Sequence, residues 1–281
     1  MYDYFFHSSY IRVMHLQLRF FTVFILIAFC VSNAAARDVI KKDKHNRAPI
    51  EEREAILILG GLGSVVHSAK DQKQSFAQKG YDVFIPDYLA RRSIDGCVKK
   101  LQRFALKHQL SKYKKIHVLS YIVGSWAFNR WYEQYPMSNI ASLVYDRSPL
   151  QETLPPMMRD EDPLFSRLLF GKLTFDLADT PYKPLVAPGI KMGILIECKA
   201  TKFLWLKYDT FLKLPPRTFE PEQFGQRYDD YCYFFLSHDD MYTRLHEAAP
   251  AILNFFSSGT FGEADRSPCS EDPFKTYRKS K

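Results

Sequence analysis

The stretch KKIHVLSYIVGSW, residues 114–126, joins a strand-like run (116–121) to a small-residue turn at Gly124-Ser125 and a helix-like run (126–135). Strand, tight turn and helix are the parts that hold out a nucleophile for acyl transfer. Such a turn needs small residues two before and two after its tip, because a larger side chain strikes the neighbouring strand or helix. Ser120 and Gly124 meet that demand, which puts Ile122 at the tip. Isoleucine has no acidic hydrogen and no lone pair, so acyl transfer has nothing to work with there. A β-branched residue is also disfavoured where φ is positive. Slipping the register to Ser120 leaves bulky Val118 and Ile122 as flanks. Slipping it to Ser125 leaves Val123 and Ala127, which is half right, so Ser125 is the alternative nucleophile. Otherwise both serines are small fillers around a tight turn.

The flanking sequence supplies elements to position such a turn. Buried strands are expected at AILILGGLG (55–63), YDVFIPDY (81–88), IASLVYD (140–146), MGILIEC (192–198) and YCYFFLS (231–237), beside 116–121. Helices are expected over 64–79, 94–110, 126–135, 202–214 and 239–256, punctuated by Gly80, Pro136 and Pro215-Pro216. In 94–110, Ile94, Val98, Leu101, Ala105 and His108 share one face and Lys99, Arg103 and Lys107 another. Strands alternating with helices imply parallel βαβ units and an α/β fold with a mostly parallel central sheet flanked by helices. The rhythm breaks over 148–190, rich in proline and phenylalanine, where a cap insertion is expected.

Four pieces in order resemble the α/β-hydrolase superfamily, over roughly residues 55–258. LILGGLGS resembles its first buried strand and oxyanion turn, and QKGYDVFIPDY its Gly-Tyr-x-Val-x-x-Pro-Asp-Tyr segment. KIHVLSYIVGS resembles the strand and elbow that usually read Gly-His-Ser-x-Gly-Gly. SHDDMYTRLHEAAPAILNFF resembles the segment carrying the catalytic histidine and the closing helix. The resemblance implies His238 as the general base and Gly60, Gly61 and Leu62 as the oxyanion turn, with backbone N–H groups aimed at a ligand oxygen. It implies an acid after the strand 192–198, but KATKF (199–203) has no carboxylate; some members place it one strand earlier, where Asp146 stands. A base without a nucleophile cannot run a triad. Asp239 and Asp240 fit the N-terminus of a helix, favoured by its dipole. No ligand cluster accompanies a His238–Asp240 pair, so no metal is expected, and Gly60, Gly61 and Gly63 fall short of a dinucleotide fingerprint. No cofactor is expected.

Arg12 and Arg19 precede an apolar run at 20–31, followed by SNAAA at 32–36. The run is short of the roughly 20 residues of a membrane span and reads as an export signal over 1–36. The alternative is an uncleaved N-terminal membrane anchor. A charged linker is expected over 37–54 and a polar, disordered tail over 259–281. The formal charge of +8 is concentrated in Lys99, Lys100, Arg103, Lys107, Lys112, Lys114 and Lys115, read as the solvated face of a helix and the loop after it. No nucleic-acid motif accompanies it. Cys97, Cys198, Cys232 and Cys269 show no metal spacing. Parallel strands place Cys198 roughly 17 Å along the sheet from Cys232. A disulfide needs Cα atoms within about 7 Å, so Cys198 is expected to be a buried thiol.

The reading is an exported α/β-hydrolase-fold protein with a mid-chain cap and no serine-hydrolase activity, binding an apolar or acyl small molecule or a protein partner. The alternative is an esterase- or lipase-like hydrolase using Ser125, His238 and Asp146.

Overall fold

In the computed structural model of the chain, the described residues are 38–43, 46–62, 68–77, 79–214 and 218–278. The expected export signal, Gly63 and the start of the first expected helix lie outside them. Seven strands form one sheet: β1 Val39–Lys41, β2 Glu54–Leu59, β3 Asp82–Ile85, β4 Lys115–Ser120, β5 Ile140–Arg147, β6 Lys191–Lys199 and β7 Asp230–Ser237. Their order is β1-β3-β2-β4-β5-β6-β7. β1 runs antiparallel to β3 and every other pair is parallel. This is the α/β architecture expected from the sequence, a mostly parallel central sheet flanked by helices.

The inner strands are covered on both faces, which is why β2 reads Ala-Ile-Leu-Ile-Leu after Glu54 without alternation. One face packs on α2 (Ile94–Lys107) and α3 (Ile122–Gln134), the other on α1 (Ser68–Ala77), α9 (His238–Thr243) and α10 (Leu245–Ser258). α2 buries Ile94, Val98, Leu101 and Ala105, the face its periodicity marked, and Ser93 caps it by accepting from the Gly96 N–H.

Three expectations are corrected by packing. The segment expected as a linker supplies edge strand β1 and Arg53, which pairs with the buried Asp82 that Tyr113 also binds at 2.7 Å. The tail expected to be disordered buries Phe261 and Phe274. It also gives edge strand β7 a partner, the Tyr233 N–H donating to the Asp265 carbonyl at 2.8 Å. Cys198 is not a free thiol but is bridged to Cys269, with Cα atoms 5.9 Å apart. Cys232 lies beside Leu195 in the register, so Cys198 sits roughly 10 Å past it. Cys97 and Cys232 are free and buried, and Cys232 is not bridged to Cys198, as the parallel geometry required.

The irregular stretch after β5 folds into three short helices, α4 (Leu154–Glu161), α5 (Pro163–Phe170) and α6 (Leu173–Asp179). Arg147 at the end of β5 ties them down. Its guanidinium is buried, bonds both oxygens of Glu152 at 2.6 and 2.9 Å, and lies 4.4 Å from the Tyr182 ring centre and 4.5 Å from that of Phe224. α7 (Lys202–Leu206) and α8 (Tyr208–Phe211) replace the single expected helix over 202–214.

Candidate functional site

The C-terminal ends of the parallel strands bring the chemistry-bearing residues together, as α/β sheets do. Gly61 follows β2, Tyr121 and Ile122 follow β4, Asp146 and Glu197 lie near the ends of β5 and β6, and His238 follows β7. His238 is held by a capped turn: Ser237 accepts from the Asp240 N–H at 3.2 Å and the Asp240 carboxylate accepts from the Ser237 N–H at 3.1 Å. Asp240 therefore belongs to the cap, where it also meets Lys199 at 3.3 Å, and does not pair with His238.

The histidine is oriented by an acid the sequence reading missed. Nδ1 of His238 lies 2.7 Å from Oε1 of Glu197, two residues before the segment searched for a carboxylate. A glutamate inside the continuous apolar run MGILIEC was the available signal, since a carboxylate buried in an inner strand needs a partner. Asp146 is close by: one ligand atom each from Asp146, Glu197 and His238 lies within 4.8 Å of the others. Asp146 and Glu197 face each other as a carboxyl pair, the protonated Asp146 bonding to Glu197. Burial and the charge of Glu197 push the Asp146 carboxyl well above the ordinary range. Glu197 is raised by burial to about 8. Burial lowers His238, keeping the ring neutral.

Nε2 of His238, the atom a general base uses, is already engaged. The Tyr242 hydroxyl sits 3.1 Å from it and accepts from the Gly61 N–H at 2.8 Å. One phenol thus occupies both the base and the candidate oxyanion donor. The Tyr121 ring stacks on Tyr242 with centres 4.5 Å apart and donates its hydroxyl to the Met241 carbonyl at 2.9 Å. Gly60 is held too, its carbonyl accepting from the Tyr88 hydroxyl. Glycine is required at 61, where a Cβ would stand 2.7 Å from the Tyr242 oxygen. Tyr242 is 3% exposed, and burial holds its phenol well above the usual range, so it is not a phenolate nucleophile.

The register of the turn follows the small-residue argument. A Cβ on Gly124 would lie 2.3 Å from the Leu59 carbonyl oxygen, the close approach a tight strand–helix turn demands. The turn is nevertheless relaxed. Tyr121 is extended (φ −75°, ψ 170°) and caps α3, which begins at Ile122 and not at 126 as expected. Gln109 is the sole non-glycine residue with positive φ among the described residues, so the strained tip expected at Ile122 is absent. A β-branched residue fits the right-handed helical basin and not the strained one, which accounts for the early helix start. Ser125 lies in the first helical turn, fully buried, bonded to the Ser120 hydroxyl at 3.1 Å and to the Tyr121 carbonyl at 3.3 Å. Both serines serve as packing groups of the turn, and no hydrogen bond joins either to His238.

Ile122 faces the cap. With Val123, Trp126, Pro155, Pro156 and Leu177 it lines a mostly apolar cavity of about 130 Å³, Glu152 at its edge. Leu62 is partly buried against the core. A larger, open groove of about 800 Å³ between α1 and α10 holds none of these residues.

No protein-family model matches the chain, and no curated protein matches it in sequence. Solved structures do resemble it. A carboxylesterase of the ammonia-oxidising thaumarchaeon Nitrososphaera gargenis is 11% identical with a TM-score of 0.49, the match covering 79% of this chain and 94% of that one. Est1E from Butyrivibrio proteoclasticus is 12% identical over 79% and 94%, with a TM-score of 0.49. A monoacylglycerol lipase of Paleococcus ferrophilus is 11% identical over 79% and 98%, with a TM-score of 0.44.

Proposed function

We propose that this α/β-hydrolase-fold chain is a non-catalytic binding domain whose cap cavity takes a small apolar or acyl group. The observation that carries the reading is the Tyr242 hydroxyl between His238 Nε2 and the Gly61 N–H. A substrate carbonyl and a nucleophile would both need that place. Ile122 supports it by offering no hydroxyl, and the buried, bonded state of Ser125 speaks against that serine as the alternative nucleophile. A cavity of about 130 Å³ suits a short acyl chain or a single aromatic ring. The domain works outside the reducing cytosol, a reading that the Cys198–Cys269 bridge supports.

Thermal shift with short-chain fatty acids and small aromatics tests the cavity. Ligands of the right size are expected to raise Tm in the wild type and not in Ile122→Trp, which fills the cavity. An equal shift in both proteins would place the ligand elsewhere, and no shift with any ligand would count against a binding cavity.

A further inference from the structure

We propose that the outer face of the cap docks on an anionic lipid surface, with leucines entering the headgroup layer and a basic rim meeting its charge. α5 reads Pro-Leu-Phe-Ser-Arg-Leu-Leu-Phe. Leu164 and Leu168, one turn apart and so on one face, are 79% and 63% exposed, while Ser166 is fully buried. Leu206, 64% exposed, joins them from the end of α7. Its neighbour Lys207 pairs with Asp162, two residues before Leu164, so Leu164 and Leu206 flank one ion pair. Two exposed leucines on one face of α5, with Leu206 joined to them through the Lys207–Asp162 pair, are read as one contact surface.

The charge around them identifies the partner. Nη2 of Arg91 donates to the Leu168 carbonyl at 2.7 Å, and the Arg91 carbonyl accepts from the Leu173 N–H at 3.2 Å. The Arg91-Arg92 turn therefore lies against the C-terminal end of α5, where Arg167 and Lys172 are also exposed. The acids next to α5 gather before its N-terminal end, where Asp160 is held by Arg159 and Asp162 by Lys207. Glu161 is left as a carboxylate bonded by Thr210. Exposed leucines beside three exposed cations, Arg92, Arg167 and Lys172, at the C-terminal end of α5 match a surface with negative charge above and hydrocarbon beneath. The arrangement does not depend on the cavity or on the state of His238.

The test uses the full chain in a Cys30→Ser background, with Leu168→Cys carrying an environment-sensitive dye. A dye at Lys70→Cys on α1 is the reference. The dye at 168 is expected to shift to the blue on vesicles of phosphatidylcholine with phosphatidylglycerol. It is expected to stay unshifted on phosphatidylcholine alone and to lose the shift at high salt. The dye at 70 is expected not to respond. Because the probe reads the cap itself, insertion of the N-terminal apolar run does not imitate the result. Arg167→Glu with Lys172→Glu, both exposed, is expected to weaken partition at least tenfold. A dye at 168 that stays in water on both vesicles would overturn the proposal. So would an equal shift on neutral vesicles, or a shift that appears with protein concentration in the absence of lipid, which would assign the leucines to a second copy of the chain.

Discussion

The hydroxyl of Tyr242 lies 3.1 Å from Nε2 of His238, and the same oxygen receives the Gly61 N–H at 2.8 Å. With Nδ1 of His238 on Glu197, the donors run in one direction. Gly61 gives to Tyr242, Tyr242 to His238 and His238 to Glu197. Both ring nitrogens of His238 are bonded inside the protein, with Tyr242 where the proposed non-catalytic reading puts it.

Tyr242→Phe tests how much that bonding holds. It leaves a buried N–H and a buried ring nitrogen unpaired, and a loss of about 1–3 kcal/mol is expected in urea unfolding. Activity toward acyl esters is expected to remain absent, because no nucleophile is created. Unchanged stability would show that the hydroxyl is not the partner of either group.

Gly124→Ala tests the register. The added methyl meets the Leu59 carbonyl at 2.3 Å, and backbone cannot swing aside as a flexible side chain would. A loss of about 1–3 kcal/mol is expected from overpacking, against a few tenths or a gain for an ordinary helical glycine. A stabilised Gly124→Ala protein would mean that α3 and β2 are further apart.

The fold was legible because its signals are local and repeated. The apolar runs of β2, β4, β5 and β6 and the amphipathic face of α2 needed no knowledge of their partners. The position of Gly124 was legible for the same reason, since smallness at a fixed offset follows from the turn itself. Glu197 was missed because the acid was sought in the loop after the strand, whereas it lies within it. Tyr242 was missed because its role depends on Gly61, distant in sequence. Cys269 was missed because polarity made its segment look unstructured, while Phe261 and Phe274 anchor it.

The carboxyl pair sets a pH dependence. Glu197 in the folded chain titrates near pH 8, while an unfolded glutamate loses its proton near pH 4. Between these values the native state holds a proton that the unfolded state has released, so stability is greatest at low pH and falls as pH rises toward 8. His238, lowered by burial, acts in the opposite sense only below the ordinary histidine range. From pH 6.5 to 8 the stability is expected to fall by up to about 1.4 kcal/mol per pH unit for each of the two carboxyls, Glu197 and Asp146, that keeps its proton in the folded chain. Glu197→Gln is expected to lessen that slope, leaving the part that Asp146 contributes, while still accepting from His238. A wild type that becomes more stable across this range would contradict the assignment.

The bridge from β6 to the tail fixes the thiol count. In denatured, unreduced protein of the Cys30→Ser chain, Cys97 and Cys232 are expected to react and Cys198 and Cys269 are not. Cys269→Ser is expected to lower stability by about 2–4 kcal/mol. A mass-mapped Cys198–Cys232 pair would contradict the parallel register of β6 and β7.

Ester hydrolysis by the purified wild type tests the central claim most directly, run beside His238→Ala with short and long acyl esters and with a fluorophosphonate probe. The account predicts no turnover above that of His238→Ala and no labelled serine. Turnover that disappears in His238→Ala, with label on Ser125 or any other serine, would contradict it.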